Sequence, residues 1–468
     1  ADLRLLQWVV TGYLLAQVAI IPVAGWMSDR FGAKRMYLTA LTLFTAGSVL
    51  CALATSAELL VAARVVQGLG GGMVMPIGMS FLFRLAPPEQ RGAVMGAFGI
   101  PILLGPALGP VLSGWLLEYA DWRLIFLINL PVGVLAVALG QRVLPALRAQ
   151  RAAGALDVAG FVLGPLAFTA LSYGVSESGA AGWTAPSTLA GLAIGAGALL
   201  AFVARELTTL EPLLELRVFR SRDFSLAIVV QWIASATLFG TILLVPLFLQ
   251  QVQGYGALET GLYTLPQAIV AAVAMPIGGR LFDRVGARPP VLMGLLLLSL
   301  SVWLLTGITA TTTGVDLLPP LALWGAGVGL LMMPLNTHIL SVAPRGLVSR
   351  VTSLTSAMQN VAASLAIAGL ATYLQGRTTA RLAASGASLP NLSTEAGGSG
   401  AASFGGDALA PAVRAAFAGA FADTFWVVLV GAVVGILIAL TLRRPAPVPA
   451  AEAAAERGAA VELAPIPV

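Results

Sequence analysis

The chain has 468 residues, of which 58% are hydrophobic and 10% are charged, and its formal net charge is +5. A soluble domain carries about 25% charged residues, so this composition excludes an ordinary soluble globular protein. The positive charge does not indicate a nucleic-acid partner, because the cations lie in short segments between apolar runs. The single cysteine and the single histidine, Cys51 and His338, exclude an intrachain disulfide and argue against a metal centre or an enzyme site.

Apolar runs of about 20 residues recur along the chain, which is the length that crosses a hydrocarbon core of about 30 Å. Backbone groups inside lipid must be satisfied within the protein, and the short alternating segments of a β-barrel are not found in the sequence. The runs therefore predict an all-α membrane protein with about thirteen helices in this chain. The predicted spans are 8–27, 36–54, 59–85, 93–117, 122–141, 158–173, 187–204, 224–252, 260–281, 290–306, 317–340, 348–374 and 417–442.

Cationic loops predict the orientation of these helices. Arg and Lys are concentrated in alternate loops up to the pair Arg443 and Arg444, whereas intervening loops such as 174–186 and 250–259 are nearly free of them. The positive-inside rule places this cation-rich end in the cytoplasm, together with the C-terminus. The expected location is the inner membrane of a bacterial cell.

Three polar segments lie between the spans or after the last one. The outer loop 376–411 is rich in Gly, Ser and Ala and is expected to be mobile. The Pro/Ala/Glu-rich segment 445–468 is expected to be a disordered cytoplasmic tail. The linker 211–223 interleaves leucines with arginines and is predicted to form an amphipathic helix at the membrane interface.

A sequence near the start of the chain recurs near its middle. Residues 22–34 (PVAGWMSDRFGAK) match residues 276–288 (PIGGRLFDRVGAR), so that Asp29 corresponds to Asp283. Repeated halves are typical of secondary transporters. The predicted helix 224–252 precedes the second copy, but no counterpart precedes the first. We therefore expect one helix to be missing at the N-terminus of a protein built of six plus two plus six helices.

This repeat predicts how the chain is divided. Residues 1–142 form an N-terminal bundle without its first helix, and residues 143–222 form a linker with two inserted transmembrane helices. Residues 223–444 form a C-terminal six-helix bundle, pseudo-symmetric with the first, and the tail 445–468 follows. The loss of one helix from a half should open one side of the bundle, so we expect impaired coupling in the chain as it stands.

The repeated loop is the first candidate for a functional site. Gly25 permits close helix approach, and Asp29 can sit against the positive N-terminus of the following helix. We interpret the cluster as a latch that holds one transport conformation, although a loop that only fixes topology would also carry these charges. The predicted latch residues are Gly25, Asp29, Arg30, Gly32, Lys34, Asp283 and Arg284.

Arg64 and Gln67 form the second candidate, inside an apolar helix. A buried cation is costly and marks a transport pathway by default, which points to proton coupling. The alternative is an arginine whose long side chain reaches the outer interface.

The third candidate is the helix that contains Gly105, Pro106, Gly109 and Pro110. Glycines and prolines at four-residue spacing give a smooth face for close packing, and the prolines bend the helix by removing backbone hydrogen bonds. Such a helix can act as a hinge or as a wall that occludes the pathway.

Together these segments resemble the major facilitator superfamily, and in particular its fourteen-helix drug:proton antiporters of the EmrB/QacA kind. The resemblance implies that Gly25 to Lys34 is the family's signature loop and that Arg64 with Gln67 is its proton-coupling segment. It also implies that Gly105, Pro106, Gly109 and Pro110 form the antiporter motif of exporters, with Pro110 in place of the usual second glycine.

No residue stands out as the proton carrier. Asp423 could face a cavity from the last helix, although an acid at the outer interface is the alternative. Glu259, Asp316 and Asp157 lie at predicted helix starts and are interpreted as caps. His338 is interpreted as a solvated side chain near the cytoplasmic end of its helix.

The substrate cavity is expected near the midplane, between the two halves. A wall of apolar, aromatic and amide side chains would suit bulky lipophilic or cationic compounds, although each of these residues could equally be helix packing. The candidate lining residues are Gln231, Trp232, Phe239, Met332, Met333, Asn336, Gln359 and Asn360.

The sequence thus predicts a proton-driven exporter of lipophilic or cationic drugs or natural products. It would be no enzyme and would need no cofactor or metal. Its partners would be protons, lipid and a small-molecule substrate, and it would act as a monomer, with a periplasmic adaptor if the cell is Gram-negative. The alternatives are an exporter of one endogenous metabolite, such as an antibiotic, lipid or siderophore, and a membrane scaffold or receptor that does not transport. An ATP-driven pump is excluded because no phosphate-binding loop motif occurs.

Overall fold

The computed structural model describes residues 3–146, 157–209, 212–384 and 411–442, and within them the regular elements are all helical. The α-helices are α1 (Leu3–Phe31), α2 (Ala33–Leu53), α3 (Ala57–Leu85), α4 (Arg91–Tyr119), α5 (Leu124–Leu127), α6 (Asn129–Val143), α7 (Val158–Ala181), α8 (Pro186–Thr208), α9 (Arg222–Gln251), α10 (Ala257–Val285), α11 (Arg288–Leu305), α12 (Leu318–Val342), α13 (Val348–Ala384) and α14 (Pro411–Ala439).

Twelve stretches of the described residues are long and apolar enough to cross a membrane. Helices α5 and α6 together form one of them, Leu124–Val143, and α4 adds a further helix of 29 residues. The predicted all-α membrane fold is confirmed, and the chain is a multi-pass membrane protein.

Packing joins helices from the two ends of the chain. Helix α1 packs against α3 and also against α13, and α4 packs along most of α10. The inserted helices α7 and α8 pack on each other, and α7 also contacts α1 and α13. The main core surrounds α9, α12 and α13, where Trp324 and Leu331 are fully or almost fully buried. Contacts between the halves therefore run through α1 with α13 and α4 with α10.

Two predicted segments differ from the structure. Helix α13 continues to Ala384 and so takes up the first part of the expected outer loop, whose residues 385–410 lie outside the described ones. The expected amphipathic helix at 211–223 is wrong, because in the described residues before α9 begins at Arg222 only Leu216–Arg220 is helical, as a short 3₁₀ helix. Leu213 and Leu214 are fully buried. These leucines are packed in the protein instead of lying on lipid. The tail and residues 147–156 also lie outside the described residues.

The two copies of the repeated loop share one backbone geometry. Gly32, between α1 and α2, has φ +89°, and Gly286, between α10 and α11, has φ +85°. Residues with a side chain rarely adopt a positive φ, so both positions favour glycine. The alanine that follows each glycine, Ala33 and Ala287, is buried. The sequence match thus reflects the same tight connection in both halves.

Replacing Gly32 with alanine should destabilise the protein by about 1 to 3 kcal/mol, because a non-glycine residue is strained at this φ. No atom lies within 4 Å of the added Cβ, so the loss would be one of backbone strain alone. The measurement is the free energy of unfolding in detergent. The matched control is Gly256→Ala, at an equally open position with φ −69°. An equal loss in both variants would contradict the prediction.

Candidate functional site

The first latch contact joins α1 to α13 at the cation-rich end. A Cβ at Gly25 would lie 2.6 Å from the Ser349 carbonyl oxygen and 3.0 Å from the Arg350 Cα, so only glycine allows this approach. One turn further along α1, Asp29 Oδ2 lies 3.5 Å from Arg350 Nε. Both side chains are almost fully buried. The partner of Asp29 is therefore an arginine of the other half, where the N-terminus of α2 had been expected.

The second latch contact joins α10 to α4. Asp283 accepts backbone N–H bonds from Gly92 at 2.7 Å and from Ala93 at 2.8 Å, at the start of α4. A carboxylate stabilises the positive end of a helix in this position. A Cβ at Gly279 would collide with the Gly92 carbonyl, so the two backbones touch. Asp29 and Asp283 thus each hold the start of a helix in the opposite half.

The other predicted latch residues lie at the rim of these contacts. Lys34 donates to the Gln141 carbonyl at 2.8 Å and so ties the start of α2 to the end of α6. Arg30 and Arg284 are exposed at the ends of α1 and α10. The structure therefore assembles the buried part of the predicted cluster and leaves its outer cations at the surface.

Replacing Asp283 with alanine should lower the free energy of unfolding by about 3 kcal/mol, the lower limit for two hydrogen bonds to a charged group. Two backbone donors would lose a charged acceptor, and such hydrogen bonds contribute about 1.5 to 3 kcal/mol each when intact. Unfolding in detergent measures the change. Glu259→Ala is the control, since Glu259 is an exposed acid on the same helix. A loss of the same size in the control would show that any acid on α10 has this effect.

Arg64 lies two turns into α3 and is bound by neutral groups. Its Nη1 donates to Gln67 Oε1 at 2.7 Å, and its Nε donates to the Val9 carbonyl at 3.0 Å. The guanidinium stacks over the Tyr13 ring, 4.0 Å from the centroid. No acid forms an ion pair with Arg64 within the described part of the chain. The Arg64 side chain is bound by groups of α1, which argues against the alternative prediction that it only extends to the outer membrane interface.

Gln67 extends this cluster into the N-terminal bundle. Its Nε2 donates to Ser48 Oγ at 2.9 Å, and Asn129 Nδ2 donates to the same oxygen at 3.0 Å. Gln67 and Ser48 are buried. Tyr13, Ser48 and Asn129 were not predicted, because single polar residues in apolar helices carry no spacing signal.

Two glycines of the third motif, Gly105 and Gly109, do not lie at the close helix contact that the sequence predicts. A Cβ at Gly105 or Gly109 would meet no described atom within 4 Å, so the prediction of a closely packed face is wrong for these two glycines. The close packing lies nearer the start of α4, where Gly92 and Gly96 touch the backbone of α10. The Gly-x-x-x-Gly spacing of that pair is the signal that was missed. The role of Gly105, Pro106, Gly109 and Pro110 as an antiporter motif stays a prediction.

The acids considered as proton carriers have specific partners. Asp423 on α14 accepts from Arg381 Nη2 at 2.8 Å and from Arg377 Nε at 2.8 Å, both in the C-terminal part of α13. Asp316 accepts from the Thr313 backbone N–H and hydroxyl, and these bonds lower the pKa of Asp316 below its usual range. Asp316 therefore caps the turn before α12. Asp423 as a proton carrier stays a prediction.

His338 was expected to be solvated, and this prediction is wrong. The side chain is fully buried in α12, and neither ring nitrogen has a hydrogen-bond partner among the described residues. Asp157 precedes α7 but makes no capping bond to it. Its carboxylate binds Arg205 instead, at 3.0 Å.

The predicted cavity residues fall into two groups. Gln231 Nε2 donates to Asn336 Oδ1 at 2.7 Å, and both are buried in the C-terminal half beside Met332 and Met333. Trp232 is 40% exposed. Phe239 and Gln359 are partly buried, and Asn360 is exposed. The structure brings the first group together, and the cavity itself stays a prediction.

The sequence is similar to known proteins over most of its length. A family model described as Major Facilitator Superfamily matches residues 1–367. The "Multidrug resistance protein B homolog" of Mycobacterium tuberculosis is 38% identical over 371 residues, which cover 78% of this chain and 68% of the relative. The "Lincomycin resistance protein LmrB" of Bacillus subtilis is 30% identical over 364 residues, which cover 77% of this chain and 76% of the relative. An uncharacterized transporter of this type from Bacillus subtilis, YhcA, is 34% identical over 80% of this chain and 70% of its own length.

Solved structures share the fold. The proton:xylose symporter XylE aligns with a TM-score of 0.60 at 15% identity and covers 94% of this chain and 86% of its own. The human organic anion transporter MFSD10 aligns with a TM-score of 0.59, also at 15% identity, over 91% of this chain and 83% of its own. At this identity the likeness concerns the fold alone.

Proposed function

The chain belongs to the major facilitator superfamily, and we propose that this transporter exports lipophilic or cationic drugs or natural products by proton antiport. The observation that carries the proposal is the binding of Arg64 by neutral groups, in a helix that crosses the membrane. An arginine that has no acid partner among the described residues, in a spanning helix, favours release of the proton from an acid that comes close to it during transport. Relatives named for multidrug and lincomycin resistance support drugs as the substrate class.

Alternating access would use the latch. The Asp29–Arg350 pair and the Asp283 contacts would hold the cation-rich end closed, and both would break when that end opens. We place this end in the cytoplasm and divide the chain into bundles 1–142 and 223–444, with the inserted helices within 143–222 between them.

A dedicated exporter of one endogenous metabolite is the second candidate. The buried, hydrogen-bonded amides of Gln231 and Asn336 favour it. Polar groups that are held in one arrangement recognise a single pattern of donors and acceptors on a substrate better than they recognise many different patterns. Substrate breadth separates the two proposals.

The test is efflux from everted membrane vesicles that contain the chain. Chemically diverse lipophilic cations and one neutral antibiotic are loaded, and a proton gradient is imposed or collapsed with an uncoupler. We expect several compounds to move only while the gradient exists. Movement of a single compound would support the metabolite exporter, and movement that ignores the gradient would contradict antiport.

A further inference from the structure

Two buried carboxyl groups lie outside the sites described so far. Glu206, near the end of α8, is 1% exposed, and Asp157, before α7, is 6% exposed. They meet over Gly160 of α7, where a Cβ would lie 2.9 Å from both Glu206 Oε1 and Asp157 Oδ2. Glycine at this position lets the two acids share one small space at the cation-rich end.

The two carboxyl groups have unequal partners. Asp157 accepts from Arg205 Nε with both oxygens, at 3.0 and 3.1 Å. Glu206 Oε2 accepts the Leu214 backbone N–H at 3.0 Å, but its Oε1 has no hydrogen-bond partner among the described residues. A neutral carboxylic acid suits this position, because it keeps the Leu214 bond and leaves no negative charge on the buried, unbonded Oε1 beside a second acid. The geometry therefore favours a proton on Glu206.

Glu206 is connected to the latch through the linker that follows α8. The Leu214 N–H binds Glu206, and two residues earlier the Pro212 carbonyl accepts from Arg350 Nη1 at 2.6 Å. Arg350 is the latch arginine that faces Asp29. One short buried segment is thus held by Glu206 on one side and by the latch on the other.

Several other charges surround this arrangement. Arg350 acts on Glu206 from α13, and Asp157 acts on it from the start of α7. Beyond Arg350 lie Asp29 on α1 and Arg84 on α3. Glu215, in the linker itself, is also buried. Any effect of pH must therefore be assigned to one acid by experiment.

We propose that Glu206 is a proton-binding positioning residue that makes the latch sensitive to pH at the cation-rich end. This inference rests on the proposed function for the latch's part in transport. With a proton on Glu206, the linker stays seated and Arg350 pairs with Asp29. When the proton passes to water at that end, the Glu206 carboxylate competes with Asp29 for Arg350 and favours the open latch. Acidification of that side, which proton antiport itself produces, would slow the cycle.

The latch can be followed by spin labels at its two sides. Phe31 is 49% exposed at the end of α1, and a Cβ at Gly346, just before α13, meets nothing within 4 Å. The background is Phe31→Cys, Gly346→Cys and Cys51→Ala in the full chain, labelled and reconstituted in liposomes. Pulsed electron paramagnetic resonance then measures the distance between the labels from about pH 5 to about pH 8.

We expect the short distance at low pH and a growing population of the long distance as pH rises. Glu206→Gln keeps the acceptor for Leu214 and cannot ionise, so the short distance should persist at every pH. Asp157→Asn should move the midpoint of the transition to lower pH, because it removes the neighbouring negative charge that favours the proton on Glu206. A role confined to packing would not move this midpoint. Glu259→Gln, an exposed acid on α10, should leave the transition unchanged.

An unchanged transition in Glu206→Gln would overturn the inference and would assign the pH response to Asp29 or Glu215. A distance that ignores pH in the unsubstituted background would overturn it as well. Both distance measurements are made without any transported compound. If the pH transition depends on Glu206 but efflux fails, only the proposed function is contradicted. If efflux is driven by protons but the transition is not seen, only this inference is contradicted.

Discussion

Replacing Arg64 with alanine is expected to lower the initial rate of gradient-driven efflux about ten- to hundredfold. The side chain combines two charged hydrogen bonds, to Gln67 and to the Val9 carbonyl, with stacking on Tyr13. Charged hydrogen bonds contribute about 1.5 to 3 kcal/mol each, and about 1.4 kcal/mol corresponds to a factor of ten. Alanine also removes the only charge in this cluster of described residues, and with it any means of repelling a proton.

Lysine at position 64 separates charge from geometry. Arg64→Lys keeps the cation but loses the planar fork that reaches Gln67 and Val9 together, so we expect a partial rate. Arg123→Ala is the control, since Arg123 is a half-exposed arginine that pairs with Asp121. Efflux in everted vesicles at matched protein levels gives the rates. Full gradient-driven efflux by Arg64→Ala would remove this residue from the coupling mechanism.

The fold could be predicted from sequence because lipid leaves few choices. Apolar runs of spanning length must be helices, and the repeated loop shows that two halves share a plan. Helix ends were less predictable. The outer part of α13 contains Arg377 and Arg381, so composition indicates a loop there, but their pairing with Asp423 stabilises a helix beyond the expected end.

The sequence predicts site residues that lie within one continuous motif, but it does not predict contacts between segments that are distant in the chain. Gly25 and Asp29 stand in a repeated pattern, but nothing in the sequence assigns Arg350 to Asp29, since Arg350 resembles any other loop cation. Its burial follows from the closure of α13 on α1. Tertiary packing also decides the environment of His338 and Glu206, which lie near helix ends where sequence favours solvated groups.

Replacing Gly25 with valine should force the latch open and reduce efflux at least tenfold. The added Cβ alone would lie 2.6 Å from the Ser349 carbonyl and 2.9 Å from Ser353 Oγ, and the first of these is backbone that cannot move without α13. Helices α1 and α13 would have to separate, which would also break the Asp29–Arg350 contact. Overpacking of this kind costs about 1 to 3 kcal/mol, enough to reverse a balanced equilibrium between two conformations.

The measurement pairs efflux with cysteine accessibility at the cation-rich end, using Ser349→Cys, at a buried position near the start of α13, in a Cys51→Ala background. Gly25→Val should raise the labelling rate of that cysteine while it lowers efflux, because an open latch exposes the start of α13. Gly369→Ala is the matched control, since it adds a Cβ to α13 where nothing lies within 4 Å. Lost efflux with unchanged labelling would place the defect elsewhere. A variant with normal efflux would show that closure of α1 on α13 is not required in the cycle.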